Sequence, residues 1–308
     1  MNVLVAGATG YLGRFVVQEL KRRGCWIRAL ARNPERLAKP GPFLAPAVRD
    51  EIDDLFVGEV TQPETLLGLC DGIEVVFSSV GLTRQKDNLT FHDVDYQGNV
   101  NILDRARNGL VEKFVYVSVF NAQRMAHLAI VKAHEDFVRT LQDSGLPHTI
   151  VRPTGYFSDI GEYLQMAASG RAYLIGDGRK HLNPIHGTDL AQVCADAIVE
   201  NDAEVPAGGP VVYSQSEIAE LAFSILGKTP RITRIPVWVV RMAIQAMGLL
   251  DRHAADLFDF FATASQYENV APRYGTHTLD DYFRQLAYGT SSRDRSAGHP
   301  SSQGERRT

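Results

Sequence analysis

Short apolar runs alternate with longer stretches of helical spacing through the first half of the chain. Asn2-Val3-Leu4-Val5-Ala6 is a continuous apolar run of strand length, and after it Phe15, Val16 and Leu20 recur at helical spacing, the mark of a helix with one apolar stripe. The same rhythm predicts strands at 26–31, 54–58, 74–79, 113–118 and 148–152, the last stopped by Pro153. Between them it predicts helices at 63–69, after a Thr61 cap with Pro63 in the first turn, at about 95–108, and at 126–143, closed by Ser144-Gly145. Strands that alternate with helices build a parallel sheet with helices on both faces. Beyond residue 153 the rhythm loosens. Gly176-Asp177-Gly178 marks a turn, Asn183-Pro184-Ile185 a short strand, and 188–199 a helix returning to the main sheet.

The turn between the first strand and the first helix is Gly7-Ala8-Thr9-Gly10-Tyr11-Leu12-Gly13-Arg14. Strand, glycine turn and helix in this order are what dinucleotide binding requires. Gly7 permits the sharp exit from the strand, Gly10 the close approach of a pyrophosphate, and Gly13 tight packing of helix on sheet. The helix start then offers N–H groups and a positive dipole end to phosphates. The spacing is GxxGxxG, not GxGxxG. Thr9, Tyr11 and Leu12 complete the expected cradle.

At 308 residues the chain has room for one large domain or two unequal ones, and 44% hydrophobic with 22% charged residues is ordinary for a globular protein. A net charge of −4 gives no reason to expect nucleic acid. Cys25, Cys70 and Cys194 are far apart and form no CxxC pattern, which argues against a disulfide framework or a zinc site and suits a reducing, cytoplasmic setting. With a core strand beginning at residue 2, no signal peptide is expected. The most apolar stretch, 235–250, is interrupted by Arg241 and Gln245 and too short to span a bilayer. A buried or pocket-covering helix is the preferred reading. A peripheral membrane contact or a subunit contact is the alternative.

Arg32 follows the second strand, where an NAD-preferring fold places an acid. A guanidinium there suits a 2′-phosphate, and Arg14, a cation in the first helical turn, is expected to converge on the same corner. Both favour NADP(H). Glu59 and Val60 after the third strand are expected to frame the adenine. Ser79, Val80 and Gly81 follow the fourth strand at the carboxyl edge, where ligands bind in open parallel sheets. Phe120 and Asn121 after the fifth strand, with Tyr156 and Phe157 after the sixth, are expected to line a substrate pocket; core packing accounts equally well for Phe157.

GATGYLGR, the ALARNPERL segment with Arg32, VYVSVFNA at 115–122, VKAHEDF at 131–137 and SGLPHTIVRPTGYF at 144–157 resemble the atypical short-chain dehydrogenase/reductases, of the NmrA-like, NAD(P)H-binding kind. GATGYLGRFVV, the GDG turn, GGP at 208–210 and YGTHTLDDYF at 274–283 are similar to divinyl chlorophyllide 8-vinyl reductases. The resemblance covers roughly 1–290. It implies that Ser118 sits beside the nicotinamide and that Lys132, matching the lysine of the family's YxxxK motif, holds the nicotinamide ribose and acts in catalysis. On the residues alone, Lys132 also reads as a solvated lysine paired with Asp136 at i+4. Leu128 stands where the motif's tyrosine belongs, and leucine has no proton to give. Tyr96, Tyr156, His127 and His134 are the candidate substitutes.

The expected architecture is a doubly wound α/β sheet (Rossmann) with a smaller C-terminal substrate lobe. Residues 1–153 form the dinucleotide domain, with 183–210 returning to it; 154–182 and 211–288 form the lobe, and 289–308 a disordered tail. The expected activity is hydride transfer from NADP(H) to an apolar, conjugated small molecule. A non-catalytic NADP(H)-binding sensor or assembly factor, and a structural subunit of a membrane-associated complex, are the alternatives.

Overall fold

A computed structural model describes residues 1–82 and 89–289. The chain runs β1 (Asn2–Ala6), α1 (Tyr11–Arg22), β2 (Trp26–Ala31), β3 (Asp54–Val57), β4 (Val75–Ser78), α2 (Asn99–Arg107), β5 (Lys113–Val117), α3 (Ala129–Asp143) and β6 (His148–Pro153). It continues through α4 (Phe157–Ala168), β7 (Ala172–Ile175), β8 (His181–Leu182), α5 (Gly187–Val199), β9 (Glu204–Ala207), β10 (Tyr213–Ser214) and α6 (Gln215–Ile225). The last elements are β11 (Ile232–Ile235), α7 (Val237–Gly248), α8 (Arg252–Ala264) and α9 (Leu279–Tyr288).

Seven parallel strands lie in the order β3-β2-β1-β4-β5-β6-β9, the doubly wound sheet expected from the alternating pattern. Alternate residues of β1 face opposite layers. Val3 and Val5 join Val16, Leu190 and Ile198 beneath α1 and α5, while Leu4 joins Val76, Ile102 and Phe137 beneath α2 and α3. Because both faces are covered, the strands read as continuous apolar runs. The chain winds outward from β1 to β3 and then returns to β4 on the other side of β1. That reversal opens a crevice at the carboxyl ends of β1 and β4, the place such sheets bind ligands.

Boundaries differ from expectation where local chemistry intervenes. The 63–69 helix is a 3₁₀ turn, Pro63–Leu66. The 95–108 helix opens with a π-helical stretch, His92–Gly98, and only then becomes α2. α3 starts three residues later than expected, after an extended Leu128. The expected strand at 183–185 is displaced to β8, which pairs with β10; Pro184 has no N–H for a ladder, and Ile185 makes a single bridge to Tyr156.

The smaller region packs Phe157, Phe223, Leu279 and Phe283 into its own core, beside a parallel β11–β7 pair that the sequence pattern did not reveal. The 235–250 stretch does form a helix, α7, but not a buried one: Val240 is its one buried residue. One side of α7 closes a cavity of about 40 Å³ with α8, lined by Val240, Ile244, Ala262 and Tyr267; the other side is exposed. Among the described residues no helix is long and apolar enough to cross a membrane. The tail expected at 289–308 lies, apart from Gly289, outside the described residues.

Candidate functional site

The glycine turn is built at backbone contact. Gly7 has φ +89°, and its carbonyl accepts from Gly10 N at 2.9 Å. A Cβ on Gly13 would lie 2.1 Å from Gly7 O, and one on Gly7 would lie 2.8 Å from Ser79 Oγ and 3.0 Å from the Ser79 carbonyl carbon. Side chains at either position would therefore push α1 off the turn, or β1 away from the β4 exit. Gly10 caps α1, no side chain bonds the first-turn N–H groups, and no acid lies in that turn. These N–H groups form a ready anion site. The side chains of Tyr11 and Leu12 turn into the protein. Leu12 is buried, and the Tyr11 hydroxyl accepts from Gly187 N at 3.2 Å while its ring packs against Phe15 and Tyr156.

The expected convergence of Arg14 and Arg32 is not what the structure shows. Arg14 is only 2% exposed. Its guanidinium donates to four backbone carbonyls: Thr9 at 3.2 Å, Lys39 at 2.8 Å, Pro46 at 2.7 Å and Arg36 at 2.5 Å. Those carbonyl dipoles stabilise the cation that sequence reasoning assigned to a phosphate. Arg14 thus fastens the 36–46 loop to the glycine turn. Arg32 remains at the corner, and pairs with Glu59 at 3.0 Å. Val60 is half-buried and packs against the α2–α3 layer rather than standing clear of it.

At the β4 exit, Gly81 faces a buried acid. A Cβ there would lie 3.1 Å from Asp95 Oδ1 and 3.8 Å from His134 Cε1. Asp95, on the π-helical stretch, is fully buried, and Oδ2 accepts from Leu82 N at 2.9 Å. His134 Nε2 lies 3.2 Å from Oδ1, and among the described residues no directed hydrogen bond reaches that oxygen. Burial pushes the Asp95 carboxyl above its usual range, and His134 opposes the shift. On its other side His134 Nδ1 meets Tyr116 Oη at 2.6 Å. Burial drives the Tyr116 hydroxyl well above its ordinary pKa. The hydroxyl therefore stays neutral, and one hydrogen joins Tyr116 Oη to His134 Nδ1. Asn99 holds this group to the β4 exit, donating to Asp95 O at 2.7 Å and Val80 O at 3.2 Å and accepting from Ser78 Oγ at 2.6 Å.

A family model described as NAD(P)H-binding matches residues 7–201. The chain belongs to that NAD(P)H-binding family. Among its relatives, the divinyl chlorophyllide a 8-vinyl-reductase, chloroplastic, of Cucumis sativus is 30% identical over 325 aligned positions, covering 92% of this chain and 76% of that protein. The photosystem II assembly factor Ycf39 of Cyanophora paradoxa is 27% identical over 247 positions, covering 79% of this chain and 74% of that one. In fold, the chain is similar to an NADPH-dependent quinone oxidoreductase of Escherichia coli solved with NADPH. The TM-score is 0.72 at 20% identity, over 93% of this chain and 100% of that one.

Two residues expected to act in this NAD(P)H-binding chain have other partners. Lys132 is 64% exposed and pairs with Asp136, which also binds Arg139. Its neighbours Val131 and Ala133 are buried, so the phase of α3 turns Lys132 to solvent. Ser118 donates to Glu135 Oε1 at 2.7 Å and accepts from Arg152 at 3.2 Å. Arg152 also binds Glu135, Val119 O and Glu204. This network ties α3 to the β5 and β6 exits and occupies the Ser118 hydroxyl.

The expected pocket residues separate in the same way. Phe157 is core, 1% exposed between His186 and Tyr282. Asn121, in a left-handed conformation at φ +56°, donates to Glu268 O and Asn269 Oδ1, both at 2.9 Å, and so braces the β5 exit against the smaller lobe. Phe120 and Tyr156 stay half-buried at the β5 and β6 exits. Asp95 is the residue that sequence reasoning missed, having marked it only as a helix start. His134 is one of the four candidate substitutes for the motif's tyrosine.

Proposed function

We propose that this chain is an NADP(H)-dependent reductase acting on an apolar, conjugated small molecule. The observation that carries the reading is the crevice between β1 and β4, where the start of α1 carries no side-chain cap or acid and the glycine turn is packed too closely for a Cβ at Gly7 or Gly13. The first-turn N–H groups of α1 would hold the pyrophosphate. Arg32 would meet the 2′-phosphate, exchanging Glu59 for it. Gly81 would admit the ribose. The bound cofactor supplies a hydride; the chain must supply the proton. Leu128 has none, Lys132 is turned outward and Ser118 is engaged. His134, set between Asp95 and Tyr116 at the β4 exit, would be the proton donor.

The named relatives support this chemistry, one being called an 8-vinyl-reductase. The test follows NADPH oxidation with divinyl chlorophyllide a and with a benzoquinone as acceptors. Wild type is expected to turn over at least one, and His134→Gln to lose turnover while binding NADPH normally. NADPH binding without turnover of either acceptor favours the second reading, a non-catalytic assembly factor. The absence of the motif tyrosine at Leu128 and the Ycf39 relative support that alternative.

A further inference from the structure

Helix α7 is apolar on the side turned away from the protein. Trp238 is 65% exposed, Met242 61%, Leu249 87% and Leu250 93%. At 100° per residue Trp238, Met242, Ala246 and Leu249 fall on one stripe, opposite Val240 and Ile244, which face α8. A helix apolar on both sides needs cover on both. Within the chain one side has none among the described residues. Residues 290–308 contain no Leu, Ile, Val, Met, Phe, Tyr or Trp, so that segment has no large apolar side chain to lay on the stripe.

The surrounding charge selects the occupant. Lys228, Arg231 and Arg234 lead into α7, Arg241 lies on it and Arg252 follows it, with Asp251 the one acid in the segment. Residues 228–252 therefore carry a net charge of +4 on a chain whose net charge is −4. All five cations are exposed, and the Asp251 carboxylate caps α8 by accepting from Ala254 N. In a symmetric dimer through this stripe the same patch would meet itself and oppose these like charges. An anionic lipid surface answers both features, because acyl chains cover the stripe and headgroups meet the arginines. Twelve residues at about 1.5 Å each make a helix of roughly 18 Å, too short for a hydrocarbon core of about 30 Å. The helix would lie in the interface, with Trp238 at headgroup depth.

We propose that α7 is a lipid-docking helix, which seats the protein on an anionic membrane surface with its apolar stripe among the acyl chains. The proposal stands independently of the reductase reading.

The test uses the full chain carrying Trp26→Phe, so that Trp238 is the one tryptophan. Vesicles are phosphatidylcholine alone or mixed equally with phosphatidylglycerol, with and without brominated acyl chains. Expected are a blue shift of Trp238 emission, quenching by the brominated lipid, and co-sedimentation with the anionic vesicles that weakens as salt rises. Met242→Ser/Leu249→Ser/Leu250→Ser, all exposed positions, should lower vesicle affinity by at least about tenfold and leave NADPH binding unchanged. Failure of the wild-type protein to sediment with anionic vesicles overturns the proposal. So does sedimentation that the triple variant leaves intact, or a Trp238 shift without lipid that grows with protein concentration, which would assign the stripe to a second copy.

Discussion

Replacing Arg14 separates two roles that a guanidinium in this position can have. As a phosphate ligand, its loss would weaken NADPH and leave stability alone. The structure predicts the reverse. Four backbone carbonyls accept from Arg14 at 2.5–3.2 Å, in a site 2% exposed. At about 1.5–3 kcal/mol per charge-assisted bond, four bonds set an upper bound of roughly 6–12 kcal/mol. Water entering the vacated space recovers part of this, and losses from broken buried networks run at about 3–5 kcal/mol. Arg14→Met should therefore lose about 3–5 kcal/mol in urea unfolding, with a melting temperature lower by roughly 6–20 °C. Arg14→Lys should recover only part, since an ammonium cannot span four acceptors in one plane. Measured at a temperature where both proteins are folded, the ratio of NADPH to NADH affinity should not change. An Arg14→Met protein of wild-type stability whose NADPH preference has collapsed would refute the clamp.

Arg32→Ala should weaken NADPH about tenfold and leave NADH unchanged, as expected for one charge-assisted contact at a half-exposed site; equal losses for both cofactors in a fluorescence titration would count against the 2′-phosphate role. Gly13→Ala puts a methyl 2.1 Å from Gly7 O, a backbone atom that can yield only by moving α1, so NADPH affinity should fall about 10–100-fold, and a variant that binds normally would remove the cradle from the argument. His186 is buried, and burial followed by the field of the stacked His277 lowers its pKa from 6.5 to about 4. The unfolded chain takes that proton first, so its contribution is present above pH 6.5 and fades as pH falls toward 4. Between pH 7.5 and 5 the loss from this group is about 2 kcal/mol. His186→Asn, which keeps an acceptor for Thr188 N, should flatten urea-measured stability over that range by this amount.

The centre of the sheet was legible because its strands are buried on both faces, so that β1, β4 and β5 appear as unbroken apolar runs. The glycine turn was legible because backbone contact at Gly7 and Gly13 forbids other residues. Side-chain direction was not. Arg14 and Lys132 are both basic residues on helices, yet one points into a ring of carbonyls and the other into solvent. The difference depends on a loop 22–32 residues away in one case and on where α3 begins in the other. Leu128 sits in extended backbone ahead of α3, so the helix that carries Lys132 begins later than the periodicity suggests. Asp95 was hidden for a similar reason. The π-helical stretch turns it inward, and sequence periodicity does not report such a local change in pitch. The β7–β11 and β8–β10 pairs are short and join distant segments, so no local pattern announces them.

Asn183 carries a consequence for how the chain is made. Fully buried, its side chain donates to Gly209 O and Ala271 O and accepts from Ala271 N, while its own carbonyl accepts from Thr154. One amide thus sews together segments from residue 154 to residue 271, which leave the ribosome many seconds apart at about 5–20 residues per second. Until the last of them emerges, the β6 exit and the 208–209 turn lack the partner that fixes their spacing. The junction of the β6 exit with the smaller region is therefore closed late in synthesis, only once residue 271 has emerged.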